Sequence, residues 1–173
     1  LPIWRRFYTA LYHTGIHPSL YSDANGEYRG MDGKVHRAEG WERYTVFSTW
    51  DTFRGEHPLL FEIEPKRSAD FINSMISIWE ENGKLPVWEL SGYETDCMIG
   101  YNSAPIIADA VARGIKGFDV QKAFEAMVAS SLRPEHGMES FRRNGLVLAD
   151  DEHESVSKTL EFAYNDWCVA QVA

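Results

Sequence analysis

Three stretches of the chain bring together side chains that could do chemistry. In Ser48-Thr49-Trp50-Asp51-Thr52-Phe53-Arg54 an indole, a carboxylate and a guanidinium follow one another closely. A carboxylate beside an indole can grip vicinal sugar hydroxyls while the ring covers the apolar face of a pyranose, and Arg54 could hold Asp51 through a bidentate pair. The same residues read equally well as a helix N-terminus with a buried Arg–Asp pair. In Leu90-Ser91-Gly92-Tyr93-Glu94-Thr95-Asp96-Cys97-Met98-Ile99-Gly100-Tyr101, Glu94 lies where a Gly-containing loop meets an apolar stretch. Tyr93, Met98 and Tyr101 are expected to shield it from water, the setting a general acid requires. A Glu in the first turn of a helix is the plainer alternative. The third stretch, Asp150-Asp151-Glu152-His153-Glu154-Ser155-Val156-Ser157, is an acidic run with an embedded His. Its hard oxygen ligands suit Ca²⁺, although EF-hand spacing is absent and such a run also reads as a solvated helix cap.

Other chemistries lack their residues. The six His are scattered without an H-E-x-x-H pattern, and Cys97 and Cys168 have no metal-type spacing. Both cysteines read as small buried hydrophobes. Neither a G-x-S-x-G elbow nor a phosphate-cradling glycine loop occurs.

The elements that must position these clusters are mostly helical. Ile3, Trp4, Phe7, Tyr8, Leu11 and Tyr12 recur every three or four residues, which predicts a helix over 2–13 stopped by Gly15. Residues 14–40 are rich in Gly, Asp, Asn and Tyr and read as a long excursion with a tight turn at Asn25-Gly26. A second helix is expected from an N-cap at Ser68, carrying Phe71, Ile72, Met75, Ile76 and Trp79 and leaving through Gly83. Residues 85–90 form an extended connector. Ile106, Ile107, Ala110 and Val111 mark a third helix ended by Gly114, and Asp119 caps a fourth bearing Phe124, Met127, Val128 and Leu132. After a polar loop over 133–151, a fifth helix carries an apolar stripe of Val156, Leu160, Ala163, Trp167 and Ala170. About five helices with long loops predict a mainly α fold of antiparallel helix pairs, either an α/α toroid or a solenoid. The first residue is Leu1 and the fifth helix meets no stop signal, which reads as a segment of a longer chain.

Composition narrows the partners. The 173 residues carry 17 Lys and Arg against 26 Asp and Glu, a net charge of −9 that repels a phosphate backbone, so nucleic acid is not an expected partner. With 44% apolar and 25% charged residues the chain is globular, and no apolar run is long enough to span a bilayer. Aromatic residues reach 13%, with 6 Trp, which favours either carbohydrate stacking or core packing.

Taken in order, these stretches resemble glycoside hydrolase family 92 α-mannosidases over nearly the whole chain. The resemblance rests on Phe7-Tyr8-Thr9-Ala10-Leu11-Tyr12-His13-Thr14, the stretch from Asp23 to Asp32 with its core Asn25-Gly26-Glu27-Tyr28-Arg29-Gly30, the stretch from Tyr44 to Arg54, Leu85-Pro86-Val87-Trp88, the stretch from Tyr93 to Tyr101, and that from Ser155 to Trp167. It implies an exo-acting, inverting, Ca²⁺-dependent enzyme that removes terminal α-linked mannose, often α-1,2-linked, from glycans outside the cytoplasm. It also implies that residues 1–173 belong to an (α/α)₆ catalytic domain whose N-terminal β-sandwich and C-terminal remainder lie outside this sequence. By the matched motifs Glu94 would be the general acid. Trp50, Asp51, Arg54 and Tyr93 would line the mannose subsite, and His153 with Glu154 would contact sugar or metal. The family's general base belongs to a Gly-Asn-Asp-Asp type motif that is not found here, since Ala149-Asp150-Asp151-Glu152 lacks its Gly-Asn. The 173 residues alone are therefore expected to be inactive. The competing expectations are a non-catalytic helical scaffold or carbohydrate-binding segment, and an α/α toroid glycosidase for another sugar.

Overall fold

A computed structural model describes residues 2–173, and these are mainly helical, with eight helices and seven short strands among them. Helix α1 (Ile3–Thr14) starts behind Pro2 and ends at Gly15, close to the predicted limits. Most of its apolar stripe faces outward: Ile3, Trp4, Phe7, Tyr8 and Tyr12 are exposed, and Leu11 is half-buried. The excursion that follows holds β1 (Ser19–Leu20), the hairpin of β2 (Glu27–Arg29) with β3 (Val35–Arg37), β4 (Tyr44–Thr45) and β5 (Phe47–Ser48). β1 pairs antiparallel with β4. Strands this short do not register in a periodicity reading. The one-turn α2 (Thr49–Thr52) comes next, then α3 (Glu56–Ile63), which the sequence reading missed.

Helix α4 (Pro65–Asn82) begins with Pro65 in its first turn, where a missing N–H costs nothing, so the expected cap at Ser68 is displaced. Ser68 instead lies inside the helix and donates back to the Glu64 carbonyl at 2.9 Å. Gly83 supplies the expected left-handed exit with φ +80°. The connector over residues 85–90 contains β6 (Trp88–Leu90), which turns into β7 (Tyr93–Glu94). Then follow α5 (Ser103–Ala112), α6 (Val120–Ser131), α7 (Met138–Asn144) and α8 (Ser155–Val172). Asp119 caps α6 as expected, accepting from the Lys122 N–H at 3.0 Å.

The core lies where α4, α5, α6 and α8 meet, around Phe71, Ile72, Met75, Ile106, Met127 and Phe162. On α8 the expected apolar stripe faces outward: Val156, Leu160 and Trp167 are exposed, and the buried face is Lys158, Phe162, Asn165 and Cys168. Polar demand explains the rotation. Asn165 accepts from the Tyr101 N–H at 2.8 Å and donates to Asn102 at 2.9 Å, meeting backbone and side-chain groups at the start of α5 that burial would otherwise leave unpaired. Cys168 is buried as expected, but Cys97 is exposed. Beneath α3, the His57 ring sits in full burial, 6.3 Å from Phe61 and 5.9 Å from Phe71, with neither ring nitrogen hydrogen-bonded.

Candidate active site

Sheet β5-β6-β7 sets the frame. Its register places Phe47 opposite Glu89 and Glu89 opposite Glu94, so the strand leading to Trp50 and the strand bearing Glu94 flank one central strand. At ordinary strand spacing their backbones are roughly 10 Å apart.

Glu94 folds back over its own hairpin. One carboxylate oxygen, Oε2, accepts from the Val87 N–H at 2.9 Å, and Oε1 accepts from Trp88 N–H and Asp96 N–H, both at 2.8 Å. These three peptide donors replace the water that the half-buried group has given up. The shielding expected from three side chains is not what surrounds it. Tyr93 at the hairpin tip is 74% exposed and Met98 44% exposed, while Tyr101 belongs to the core with its hydroxyl on Asp166. Desolvated carboxyls occur elsewhere in the chain: burial pushes Glu56, at the start of α3, up to about 7, and raises Glu89 as well. Sequence reading singled out neither.

Around Trp50 the expected pairing changes partner. Asp51 is exposed and accepts from the Ser48 hydroxyl at 2.9 Å, at the start of its own turn. Arg54 pairs with Glu161 of α8 at 2.9 Å instead of Asp51, and the same Glu161 oxygen accepts from the Trp50 indole N–H at 3.2 Å. The Arg54 guanidinium lies 5.3 Å from the Trp50 ring centroid and 4.5 Å from that of Phe53. Glu161 therefore orders the indole and the guanidinium together, and its Oε2 is buried without a partner. In the sequence it is masked by the apolar stripe of α8. The available signal was its spacing: seven residues, about two turns, after Glu154, which sets both on one side of the helix.

Glu154 precedes α8 in a left-handed conformation, φ +56°, and lines a cavity of about 130 Å³ beside the Glu94 hairpin. Asp96, whose N–H donates to Glu94, lines the same cavity, as do Lys84, His136 and Lys158. Lys84 pairs with Asp96, His136 stands 3.7 Å from it, and Lys158 pairs with Glu152 at 3.1 Å. The structure thus brings Glu154 to the neighbourhood of Glu94. His153 stays outside, exposed, its backbone N–H on Glu152 at 3.0 Å. Among the described residues no three His, Cys, Asp or Glu side chains converge as a metal site, and the acidic groups near Glu154 are already paired to lysines. These residues do not by themselves fit Ca²⁺, which takes six to eight oxygens.

A helical scaffold presenting a caged carboxylate, an indole and a guanidinium at one end of a small sheet is equipment suited to a carbohydrate-active domain. The chain belongs to glycoside hydrolase family 92, whose catalytic-domain model matches residues 4–173. It superposes on a family 92 α-mannosidase from Bacteroides thetaiotaomicron with a TM-score of 0.94 at 42% identity, covering 96% of this chain and 23% of that one. That enzyme has also been solved in complex with mannoimidazole. An inverting family 92 mannosidase from the same organism matches with a TM-score of 0.83 at 35% identity over 98% of this chain and 24% of its own. A curated relative from Arthroderma benhamiae, described as an uncharacterized secreted glycosidase, is 28% identical over 134 residues, 68% of this chain and 17% of that protein. The chain spans about a quarter or less of these relatives' lengths. Among the described residues no helix is long and apolar enough to cross a membrane.

Proposed function

We propose that this sequence is part of the catalytic domain of an exo-acting, inverting α-mannosidase, that it contributes helices to an (α/α)₆ toroid, and that Glu94 is its general acid. The observation that carries the reading is the superposition of 96% of the chain on an α-mannosidase solved with mannoimidazole. The geometry of the cage leaves one oxygen open for the role. Oε1 already accepts two N–H bonds, whereas Oε2 accepts one and keeps a lone pair free, so Oε2 is the oxygen that can carry the proton to the leaving glycosidic oxygen. Trp50, Asp51, Arg54 and Tyr93 are assigned to the mannose subsite. Glu161, which holds two of them, supports that subsite from behind.

Inversion needs a base about 6.5 to 9.5 Å from the acid, and it is assigned to residues outside this sequence. So is any Ca²⁺ site, apart from a contribution from Glu154. The α-1,2 preference, the contacts of His153 and Glu154 with sugar or metal, and an extracytoplasmic location belong to the same proposal, the last supported by the secreted relative. The test is Glu94→Gln in the full-length protein. Turnover of poorly activated mannosides should fall by a factor on the order of 10² to 10⁴, with far smaller loss on activated aryl mannosides. Equal losses on both remove the acid role.

A further inference from the structure

We infer that Glu89 is a positioning residue whose buried carboxylate locks the Glu94 hairpin to the arm that carries Trp50. The inference rests on the reading of Glu94 as general acid.

Glu89 is fully buried in the central strand β6. Its Oε1 accepts from the Gly92 N–H at 2.6 Å, its Oε2 from the Val46 N–H at 3.0 Å, and the Thr45 hydroxyl lies 2.9 Å from both oxygens. Thr45 in turn accepts from the Ser91 N–H at 2.7 Å. One carboxylate and one hydroxyl therefore hold two separate bends. The first is the kink at Val46, between β4 and β5, two residues before Ser48. The second is the Ser91-Gly92 turn that delivers Tyr93 and Glu94.

The first bend does not persist unaided, and the second is a two-residue hairpin turn whose first position is not a glycine. Val46 is β-branched and sits at φ +68°, Ser91 at φ +51° and Gly92 at φ +79°. Such backbone survives where its surroundings over-determine it, and it collects at functional sites for that reason. Here the over-determining groups are the Glu89 oxygens. Arg43, equally buried, stands close enough for its charge to favour the ionised carboxylate, against the burial that opposes it. Its guanidinium lies over the rings of Tyr21 and Tyr28, and its Nε and Nη2 have no hydrogen-bond partner. The chemistry calls for a carboxylate, because every group facing it is a donor. An amide of the same shape would turn an NH₂ toward either Val46 N–H or Gly92 N–H and release one bend.

Released, the bend shifts Glu94 relative to Trp50 without removing either. Misplacement of about 1 Å can cost on the order of 10²-fold. It acts on proton delivery in the transition state more than on sugar binding, so kcat should suffer and KM should not.

The experiment uses the full-length protein with mannosides of poor and of activated leaving groups. Glu89→Gln should lower kcat on the poor leaving group by a factor of about 10 to 100, with KM within about twofold and a much smaller loss on the activated one. Thr45→Val should move the ratio the same way, and Thr45→Ser, which keeps the hydroxyl, should restore it. Should Glu89→Gln fail to fold, the Thr45 pair decides. Met127→Ala, a core truncation in α6, serves as a stability control and should leave the ratio of the two kcat values unchanged. A wild-type ratio in Glu89→Gln or in Thr45→Val, or the same shift of the ratio in Met127→Ala, overturns the inference. Glu94→Gln is run alongside. If it discriminates between leaving groups and Glu89→Gln does not, only the positioning role falls; if it does not, the reading of Glu94 falls and the positioning role with it.

Discussion

His57 makes stability fall with acid in a window that can be placed in advance. Its ring is 1% exposed, packed between Phe61 and Phe71, and burial pushes its pKa down from 6.5 to about 4. In the folded protein the ring stays neutral down to that value, whereas in the unfolded chain it takes up a proton below about 6.5. Between the two values the unfolded state binds more protons, so stability is level above 6.5, declines as the pH falls, and has lost its full share near pH 4. The whole gap corresponds to about 3 kcal/mol and the part reached at pH 5 to about 2 kcal/mol. For a chain of this size 1 kcal/mol moves Tm by roughly 2 to 4 °C, so the loss attributable to His57 on going from pH 7.5 to pH 5 is about 4 to 8 °C. Other carboxyls titrate too, and the comparison with His57→Leu removes them. The variant should lose about 4 to 8 °C less than wild type over the same interval. At pH 7.5 it should be no less stable, because the two unpaired ring nitrogens are gone. Equal acid losses in the two proteins would refute the reasoning.

Two further outcomes follow from local geometry. Gly92→Ala should lower stability by about 1 to 3 kcal/mol, measured by urea unfolding, because Gly92 sits at φ +79° and a Cβ there would lie 2.7 Å from the Tyr21 hydroxyl. Millimolar Ca²⁺, followed by excess chelator, should leave the Tm of the 173-residue chain unchanged, since its described acidic residues form no converging set; a calcium-dependent rise would reveal a site.

The sequence was most readable where a local rule governs a local outcome. Asp119 caps α6, Gly83 and Gly114 supply left-handed exits, and α1 and α6 lie within a residue or so of their predicted limits. Where two principles compete, the sequence alone is ambiguous. Pro65 in the first turn displaced Ser68 as the start of α4, and α3 was lost because eight residues are too few for a periodic signal. The apolar stripes of α1 and α8 were visible, but the direction they face was not: a stripe states which side is apolar, whereas on α8 the inward side is set by Asn165 meeting Tyr101 and Asn102. At the site, the clusters around Trp50 and Glu94 were legible as residue types. The partners were not, because Arg54 reaches 107 residues along the chain to Glu161, and Thr45 reaches 44 residues to Glu89. Pairings at that range are products of the tertiary fold.

The buried Arg43 ties the fate of two positions together. A guanidinium cannot shed its proton, so if Glu89 were replaced by a neutral residue the cation would be stranded in a greasy interior with two of its nitrogens unmet. If Arg43 were lost instead, the carboxylate would keep its peptide donors but forfeit its counter-charge. Neither step is a comfortable intermediate, so divergence at this spot should proceed by paired exchange, and kin that carry an apolar residue at one of these two places should carry a neutral one at the other.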